Sequence, residues 1–236
     1  MNQVTTIGPC SEEQERCEYA EDMAVLEGRA ATYGFLARLY RSEVDAALLE
    51  ELHDARYPAH SGNDDIDKGY YLIAKYLSNR WENTVDELQK DYARSFVGHG
   101  NTAYSAAYPY ESVYRTHKRL MMQAPRDQVL AIYRSEKLDK RPEWRESEDH
   151  IAVEFEFMRI MTNRQIDALR DDNRRKARSY AVTQRTFLED HVAMWLPMFL
   201  RDMHKFAETD FYQGVCYLTR GFIQEDRAFV GELAQN

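Results

Sequence analysis

Residues 147–154 combine carboxylates and a histidine at the spacing of a helix start. If Ser147 is the N-cap, Asp149 lies in the first turn, where a carboxylate complements the free N–H groups and the helix dipole. His150 and Glu154 are four residues apart and share a helix face with Phe157. Such a polar pair can hydrogen-bond inside a core or bind a ligand in a groove. Asp149 is therefore either a helix-start acid or a binding residue.

A second acidic run with a histidine occupies residues 189–191. His191, Trp195 and Phe199 share one helix face at four-residue spacing, so core packing with one polar edge explains them well. Pro197 lies inside the same apolar pattern and removes one backbone hydrogen bond. We therefore expect this helix to be kinked or interrupted there.

Enzymatic motifs are missing from the chain. It contains no GxSxG, HExxH or GxxxxGK[ST] pattern, and its single Glu-x-x-His pair, Glu50 and His53, is half of what a di-iron bundle needs. The 3 cysteines form no CxxC pair. We expect no catalytic residues, no metal and no cofactor. A helical metalloenzyme using His53, His150 or His191 with neighbouring carboxylates remains an alternative.

The composition of the chain limits which partners it can bind and where in the cell it is expected. The net charge of −9 argues against a nucleic-acid partner, because phosphate backbones are bound mainly by Lys and Arg. The first 20 residues contain four glutamates and no apolar stretch, so no secretory signal is expected. The longest uncharged apolar stretch, residues 192–200, is about half of the ~20 residues that cross a bilayer. We expect a cytoplasmic protein without a membrane segment.

Sparse helix breakers indicate which elements must position these residues. The chain has 10 glycines and 6 prolines, and neither type occurs in residues 143–196, which can hold two long helices. Residues 151–157 alternate as in a strand, but their apolar pattern continues without a turn, so we predict helix. A stripe at three- and four-residue steps predicts a buried helix face near the N-terminus: Met23, Leu26, Ala30, Tyr33, Ala37 and Tyr40.

The predicted fold is an all-α bundle of about ten helices in two subdomains. Shorter helices are expected over residues 43–55, 65–80, 84–96 and 126–137, and a last helix begins at Thr209 or Asp210. The glycine-containing stretch after the fourth helix has no helical period and is longer than most loops in compact domains. We predict a flexible polar N-terminus (1–18), an N-terminal subdomain (19–97), a loop or hinge (98–110) and a C-terminal subdomain (111–236). The two subdomains can also count as one domain.

Two separated segments carry a recognisable combination of motifs. The first is DYARSFVG (91–98), followed by YPYESVYRT (108–116), and the second is SEDHIAVEFEFM (147–158). HVAMWLPMFL and ETDFYQGVCYLTRGF follow in the same order. Over about two thirds of the chain, these segments resemble the TorD/DmsD family of chaperones for molybdenum-cofactor oxidoreductases. Ser95 and Ser147 stand where the family often has Leu and Pro, which affects the subfamily more than membership.

The resemblance implies the function. Family members bind the twin-arginine signal peptide, and sometimes the apo-form, of a molybdenum-cofactor oxidoreductase, and they delay export until the cofactor is inserted. A helical scaffold without signal-peptide binding is a further alternative. Guanine-nucleotide binding is implied by the resemblance only, because the sequence contains no phosphate-binding loop that would support it. The resemblance also implies a monomer or a domain-swapped dimer, which the long loop permits.

The resemblance also implies the binding residues. The family's Asp-His pair, implicated in signal-peptide recognition, falls on Asp149 and His150. Twin arginines suit carboxylates, and the apolar part of a signal peptide suits an aromatic groove, so we expect Asp149 at the mouth of such a groove. The predicted signal-peptide or client-binding residues are Asp149, His150, Glu154, Phe96, Pro109, Tyr110, Glu111, Ser112, Tyr114 and Trp195.

Overall fold

The structure is a computed structural model that describes residues 12–98, 105–141 and 143–233. It is 74% helical, and the described residues contain no β-strand. The predicted all-α class is therefore confirmed. The α-helices are α1 Glu12–Arg41, α2 Ala46–Asp54, α3 Asp64–Ser78, α4 Thr84–Tyr92, α5 Glu111–Arg115, α6 Ala124–Ser135, α7 Ile151–Arg170, α8 Arg174–Phe187, α9 Ala193–Phe206 and α10 Asp210–Leu233. Two π-helical turns, Ala93–Val97 and Leu188–Val192, extend α4 and join α8 to α9.

Helix α1 presents the predicted apolar stripe to the core. All six of its predicted residues, from Met23 to Tyr40, are buried. The stripe packs against α7, where the ring of Tyr33 meets the edge of Phe155 at 5.7 Å. The helix begins at Glu12 and therefore includes residues 12–18 of the predicted N-terminal stretch, whose flexibility remains a prediction. The rest of that predicted N-terminal stretch, residues 1–11, lies outside the described residues.

Helices α3 and α10 approach each other closely through glycines. A Cβ atom added at Gly69 would lie 2.6 Å from the backbone N of Leu218 and 2.8 Å from the carbonyl O of Gly214. No other residue fits at Gly69 unless one helix moves away. This contact joins the third helix of the chain to the last one.

Capping side chains set several helix starts. The Asp45 carboxylate accepts from the backbone N of Leu48 at 2.8 Å, so α2 begins three residues later than predicted. Asn63 caps α3, which places Asp64 in the helix and not in the preceding loop. The hydroxyl of Thr209 accepts from the backbone N of Tyr212 at 3.3 Å, which confirms the predicted start of α10.

The predicted hinge is only partly described, because residues 99–104 lie outside the described ranges. At its start, Gly98 has φ +69, a left-handed conformation that favours glycine. At its end, Ala106 and Ala107 are fully buried, and the backbone N of Ala107 donates to the carbonyl of Ser95 at 2.8 Å. Helices on both sides of this stretch contribute to one hydrophobic cluster. The division into two subdomains remains a prediction.

Helix α9 continues through Pro197 without interruption. The irregularity that we expected at the proline lies one turn earlier, in the π-helical turn Leu188–Val192. A proline lacks the N–H that would bond to the carbonyl of Ala193, so the regular pattern is already weakened just after this turn. The shift places the side chains of Glu189 and Asp190 at the surface and His191 in the interior.

Candidate functional site

The two sequence motifs meet in the folded chain. The backbone N of Glu111 donates to the carbonyl of Asp149 at 3.0 Å, and the backbone N of Ile151 donates to the carbonyl of Pro109 at 2.9 Å. Together they form an isolated antiparallel bridge between Tyr110 and His150. The segment before α5 is thereby fastened to the start of α7.

Asp149 holds this junction together with its side chain. Its Oδ2 accepts from the backbone N of Ser112 at 2.8 Å, and its Oδ1 accepts from the hydroxyl of Ser147 at 2.5 Å. The helix that follows begins at Ile151, with His150 as its N-cap, so our expectation of Ser147 as N-cap is wrong. Asp149 is therefore not an acid in the first turn of its own helix. It satisfies an N–H in the first turn of α5 instead.

His150 lies between two aromatic rings. Its ring is edge-on to Tyr110 at 5.0 Å and to Trp144 at 5.4 Å. Its Nδ1 accepts from the backbone N of Ala152 at 3.1 Å. Burial, with a smaller effect of the positive charge of Arg41, lowers the pKa of His150 to about 3. The imidazole is therefore neutral at ordinary pH.

Glu154 is paired with Trp195 rather than with His150. Its Oε2 accepts from the indole N–H of Trp195 at 3.1 Å, and no donor among the described residues reaches its Oε1. Burial raises the pKa of Glu154 well above its usual range, and the carboxylates of Glu111 and Asp149 raise it further. The protonated carboxyl group of Glu154 can then donate a hydrogen bond to the carboxylate of Glu111. The sequence-based expectation of a His150–Glu154 pair is wrong.

The carboxylate of Glu111 contacts a histidine and an arginine. Its Oε1 and Oε2 both lie 3.1 Å from Nδ1 of His191. Arg115 donates to Oε1 of Glu111 at 2.5 Å and also to the carbonyl of Asp190 at 2.9 Å. We call Asp149, Glu111, Glu154 and His191 the buried acid cluster, and Arg115 is the cation at its outer end.

Three of the four predicted aromatic residues pack together beside this cluster. Tyr114 stacks on Trp195 with ring centroids 5.6 Å apart, and Phe199 contacts both rings. Phe96 stacks on the other side of Phe199 at 6.1 Å. The predicted rings are therefore joined through Phe199, a residue absent from the predicted set. The fourth, Tyr110, packs on the ring of His150 instead, and its hydroxyl donates to the carboxylate of Glu146.

The predicted residues do come together, but they are buried. Asp149, Glu111, Ser112, Glu154 and Trp195 are 0% exposed. Asp149 is therefore not at the mouth of a groove, which corrects that expectation, because both of its oxygens are occupied inside the protein. Contact of a client with Asp149 itself would require the segment before α5 to move away from α7. The role of these residues in binding remains a prediction.

A cleft of about 850 Å³ lies beside Trp144, whose ring contacts His150. It is lined by α1, α7 and the segment between α6 and α7, including Arg41, Arg141 and Trp144. None of these three residues belongs to the predicted set. Trp144 is an isolated aromatic residue in the polar stretch 139–149, which is the sequence signal that could have pointed to it.

In residues 12–98, 105–141 and 143–233, no group of three or more His, Cys, Asp or Glu residues is arranged to hold a metal ion. The metalloenzyme alternative gains no support from this part of the chain. Among the helices of the same ranges, none has the length and apolar character needed to cross a membrane.

Comparison with known proteins defines the class. The family described as nitrate reductase delta subunit matches residues 62–201, more than half of the chain. Chaperone protein TorD of Psychrobacter sp. (strain PRwf-1) is 30% identical over 217 residues, which cover 88% of this chain and 93% of that protein. TorD of Photobacterium profundum is 30% identical over 218 residues, covering 89% and 97%, and TorD of Vibrio cholerae serotype O1 (El Tor Inaba) is 26% identical over 215 residues, covering 89% and 94%.

This chain therefore belongs to the family of nitrate reductase delta subunits and TorD chaperones. The resemblance seen in the sequence motifs is confirmed. The relatives are named chaperones, a role without catalysis, in agreement with the prediction that the chain is not an enzyme.

Proposed function

We propose that this chain is a cytoplasmic maturation chaperone for a molybdenum-cofactor oxidoreductase. It binds the twin-arginine signal peptide and the apo-form of that enzyme, assists cofactor insertion and delays export until insertion is complete. Family membership and the TorD relatives support the chaperone role. In this proposal the chaperone acts as a monomer or a domain-swapped dimer and carries no cofactor of its own. Guanine-nucleotide binding remains an implication of the family resemblance alone.

The proposal that the chain binds a twin-arginine signal peptide is supported by Arg115, an arginine of the chain itself that is bound to the buried acid cluster. The Arg115 side chain is 26% exposed, whereas that of Glu111 is 0% exposed. Arg115 therefore closes the cluster on the side of the solvent. Its guanidinium contacts both a carboxylate and the carbonyl of Asp190, which are the contacts that an arginine of a client would make in its place.

Exposed apolar side chains between α5 and α6 suit the apolar part of a signal peptide. Leu120, Met121 and Met122 lie in this connection, five to seven positions after Arg115, and are 53%, 39% and 65% exposed. Methionine side chains are flexible and adapt to different apolar partners. Met122 has a positive φ of 57, an uncommon conformation for a residue with a side chain. In this proposal the arginine pair binds at Glu111 and the apolar segment that follows it binds these exposed side chains.

Isothermal titration calorimetry tests this proposal with the signal peptide of the oxidoreductase that co-purifies with the chain. The wild-type chain should bind the peptide. A version with both arginines changed to lysine should bind about tenfold more weakly, because lysine lacks the planar fork that pairs with a carboxylate. Arg115→Gln should bind at least as tightly as the wild type, since the internal competitor is absent.

Glu111→Gln tests the site itself. It should weaken binding of the arginine peptide by about tenfold, whereas Glu225→Gln, at a position of α10 outside the site, should leave binding unchanged. Circular dichroism melting curves establish that each variant is folded. Absence of binding by the wild-type chain contradicts the proposal. Equal binding by the wild type and a folded Glu111→Gln contradicts the site. Binding of the mature enzyme alone would support the scaffold alternative.

A further inference from the structure

The cleft between α1 and α7 shares no lining residue with the buried acid cluster, and Trp144 in its wall contacts the ring of His150. The His150 ring contacts Tyr110, which precedes Glu111 of the acid cluster in the chain. It also contacts Trp144, which lines the cleft. The cleft volume of about 850 Å³ lies within the ~300–1,000 Å³ range of ligand-binding pockets. This space is large enough for several side chains of a bound partner.

One wall of the cleft is apolar. Val153, Phe157 and Ile160 of α7 line it, together with Leu138 and Trp144 from the segment before that helix. Phe157 is buried, while Trp144 is half-buried. A partner that fills this space therefore contributes apolar side chains to it.

Two exposed arginines without an ion pair and one buried indole N–H without a protein acceptor lie along the same cleft. The guanidinium of Arg41 sits over the Trp144 ring at 5.5 Å and forms no ion pair within the described ranges. Arg141 is exposed and likewise has no carboxylate partner among the residues that the structure describes. The indole N–H of Trp144 is buried and meets no acceptor there. A carboxylate in the cleft would satisfy such donors, and arginine pairs bidentately with it.

The other charges of the lining are mostly occupied. Arg38 pairs with Asp45 at 3.4 Å, Lys140 with Glu148 at 3.3 Å and Arg159 with Glu156 at 2.5 Å. Asp139 accepts from the backbone N of the next residue, and Glu143 is an exposed carboxylate of the rim. The whole lining carries five Lys or Arg residues and three Asp or Glu residues, in a protein whose net charge is −9. It is therefore a basic site on an acidic protein.

We infer that this cleft binds an acidic, apolar-containing peptide segment in the mature part of the client enzyme. The inference rests on the proposed function, in which the chain binds a protein client. An acidic segment is repelled by the surface as a whole and attracted to this cleft, so the charge distribution gives the cleft selectivity. A basic signal peptide is disfavoured here for the same reason. The chaperone thus holds two chemically different parts of one client at two separate sites.

Two matched synthetic decapeptides test the inference. Both alternate phenylalanine or leucine with charged residues, which are all glutamate in one peptide and all lysine in the other. In calorimetry with the full chain, the glutamate peptide should bind about tenfold more tightly than the lysine peptide. Its binding should quench tryptophan fluorescence in the wild type and not in Trp144→Phe. Equal binding of the two peptides, or binding of neither, overturns the inference.

Arginine variants locate the contact. Arg41→Gln and Arg141→Gln should each weaken binding of the glutamate peptide by about fivefold, and Arg41→Lys should recover part of the loss because it keeps the charge. Arg174→Gln, whose side chain is 89% exposed at the start of α8, is the matched control. Unchanged affinity in Arg41→Gln and Arg141→Gln overturns the inference. Titration with the signal peptide is run separately, so a failure of that interaction is distinguished from a failure at the cleft.

Discussion

The carboxylate of Asp149 and the backbone N–H of Ser112 are joined by a hydrogen bond of 2.8 Å. It connects the second sequence motif to the first, across 37 positions of the chain. Because Ser112 is in the first turn of α5, Asp149 caps a helix to which it does not belong.

Replacing Asp149 with Ala should destabilise the protein by about 2–4 kcal/mol. The change leaves the buried N–H of Ser112 and the hydroxyl of Ser147 without an acceptor. Urea unfolding followed by circular dichroism measures the loss. Asp167→Ala, with a side chain that is 71% exposed, is the control and should change the unfolding free energy by less than about 0.5 kcal/mol. Equal stability of the two variants would show that Asp149 has no capping role.

Acid should destabilise the protein through His150. In the unfolded chain its imidazole takes up a proton as the pH falls through about 6.5, whereas in the folded protein it stays neutral down to about 3. Within this window the folded state should lose up to ~1.4 kcal/mol for each unit by which the pH falls. Unfolding free energies of the wild type and His150→Gln, measured from neutral pH to about pH 4, test this. The variant should show the smaller slope, and parallel curves would contradict the prediction.

Glu154 should have the opposite effect. Its pKa in the folded protein is raised well above 4.5 by burial, so the folded state keeps a proton that the unfolded chain releases. Stability contributed by this group is present below about pH 4.5 and is lost as the pH rises towards the raised pKa. Glu154→Gln stays neutral at every pH and its amide can still accept from Trp195. The variant should lose less stability than the wild type on the alkaline side; an identical profile would rule out titration of Glu154.

Gly69→Ala should separate α3 from α10. The added Cβ would lie 2.6 Å from a backbone nitrogen of α10, so the helices must move apart at a cost of about 1–3 kcal/mol. Gly28→Ala in α1 is a matched control, because nothing lies within 4 Å of its Cβ position. That change should stabilise the protein by about 0.5–1 kcal/mol, as alanine favours helix. Melting temperatures that shift in the same direction would refute the close approach of α3 and α10.

Local sequence patterns predicted most of the helices. The stripe on α1 is buried as expected, because an apolar face with helical spacing has to be removed from water wherever it packs. The alternating residues 151–157 are helical as expected, since the apolar pattern continues beyond them. The predictions that failed concern hydrogen-bond partners, that is, which donor bonds to which acceptor. Ser147 was expected to cap α7, but its hydroxyl donates to Asp149 and the cap is His150.

The sequence by itself determined the all-α class, the buried stripe of α1 and the family. It did so because helical spacing and motif identity are local properties of the chain. Only the tertiary structure decided that Asp149 is buried, that Glu154 pairs with Trp195 and that Arg115 closes the acid cluster. Only it revealed the cleft beside Trp144. Burial and hydrogen-bond partners depend on residues far apart in the chain, whose positions no local pattern specifies.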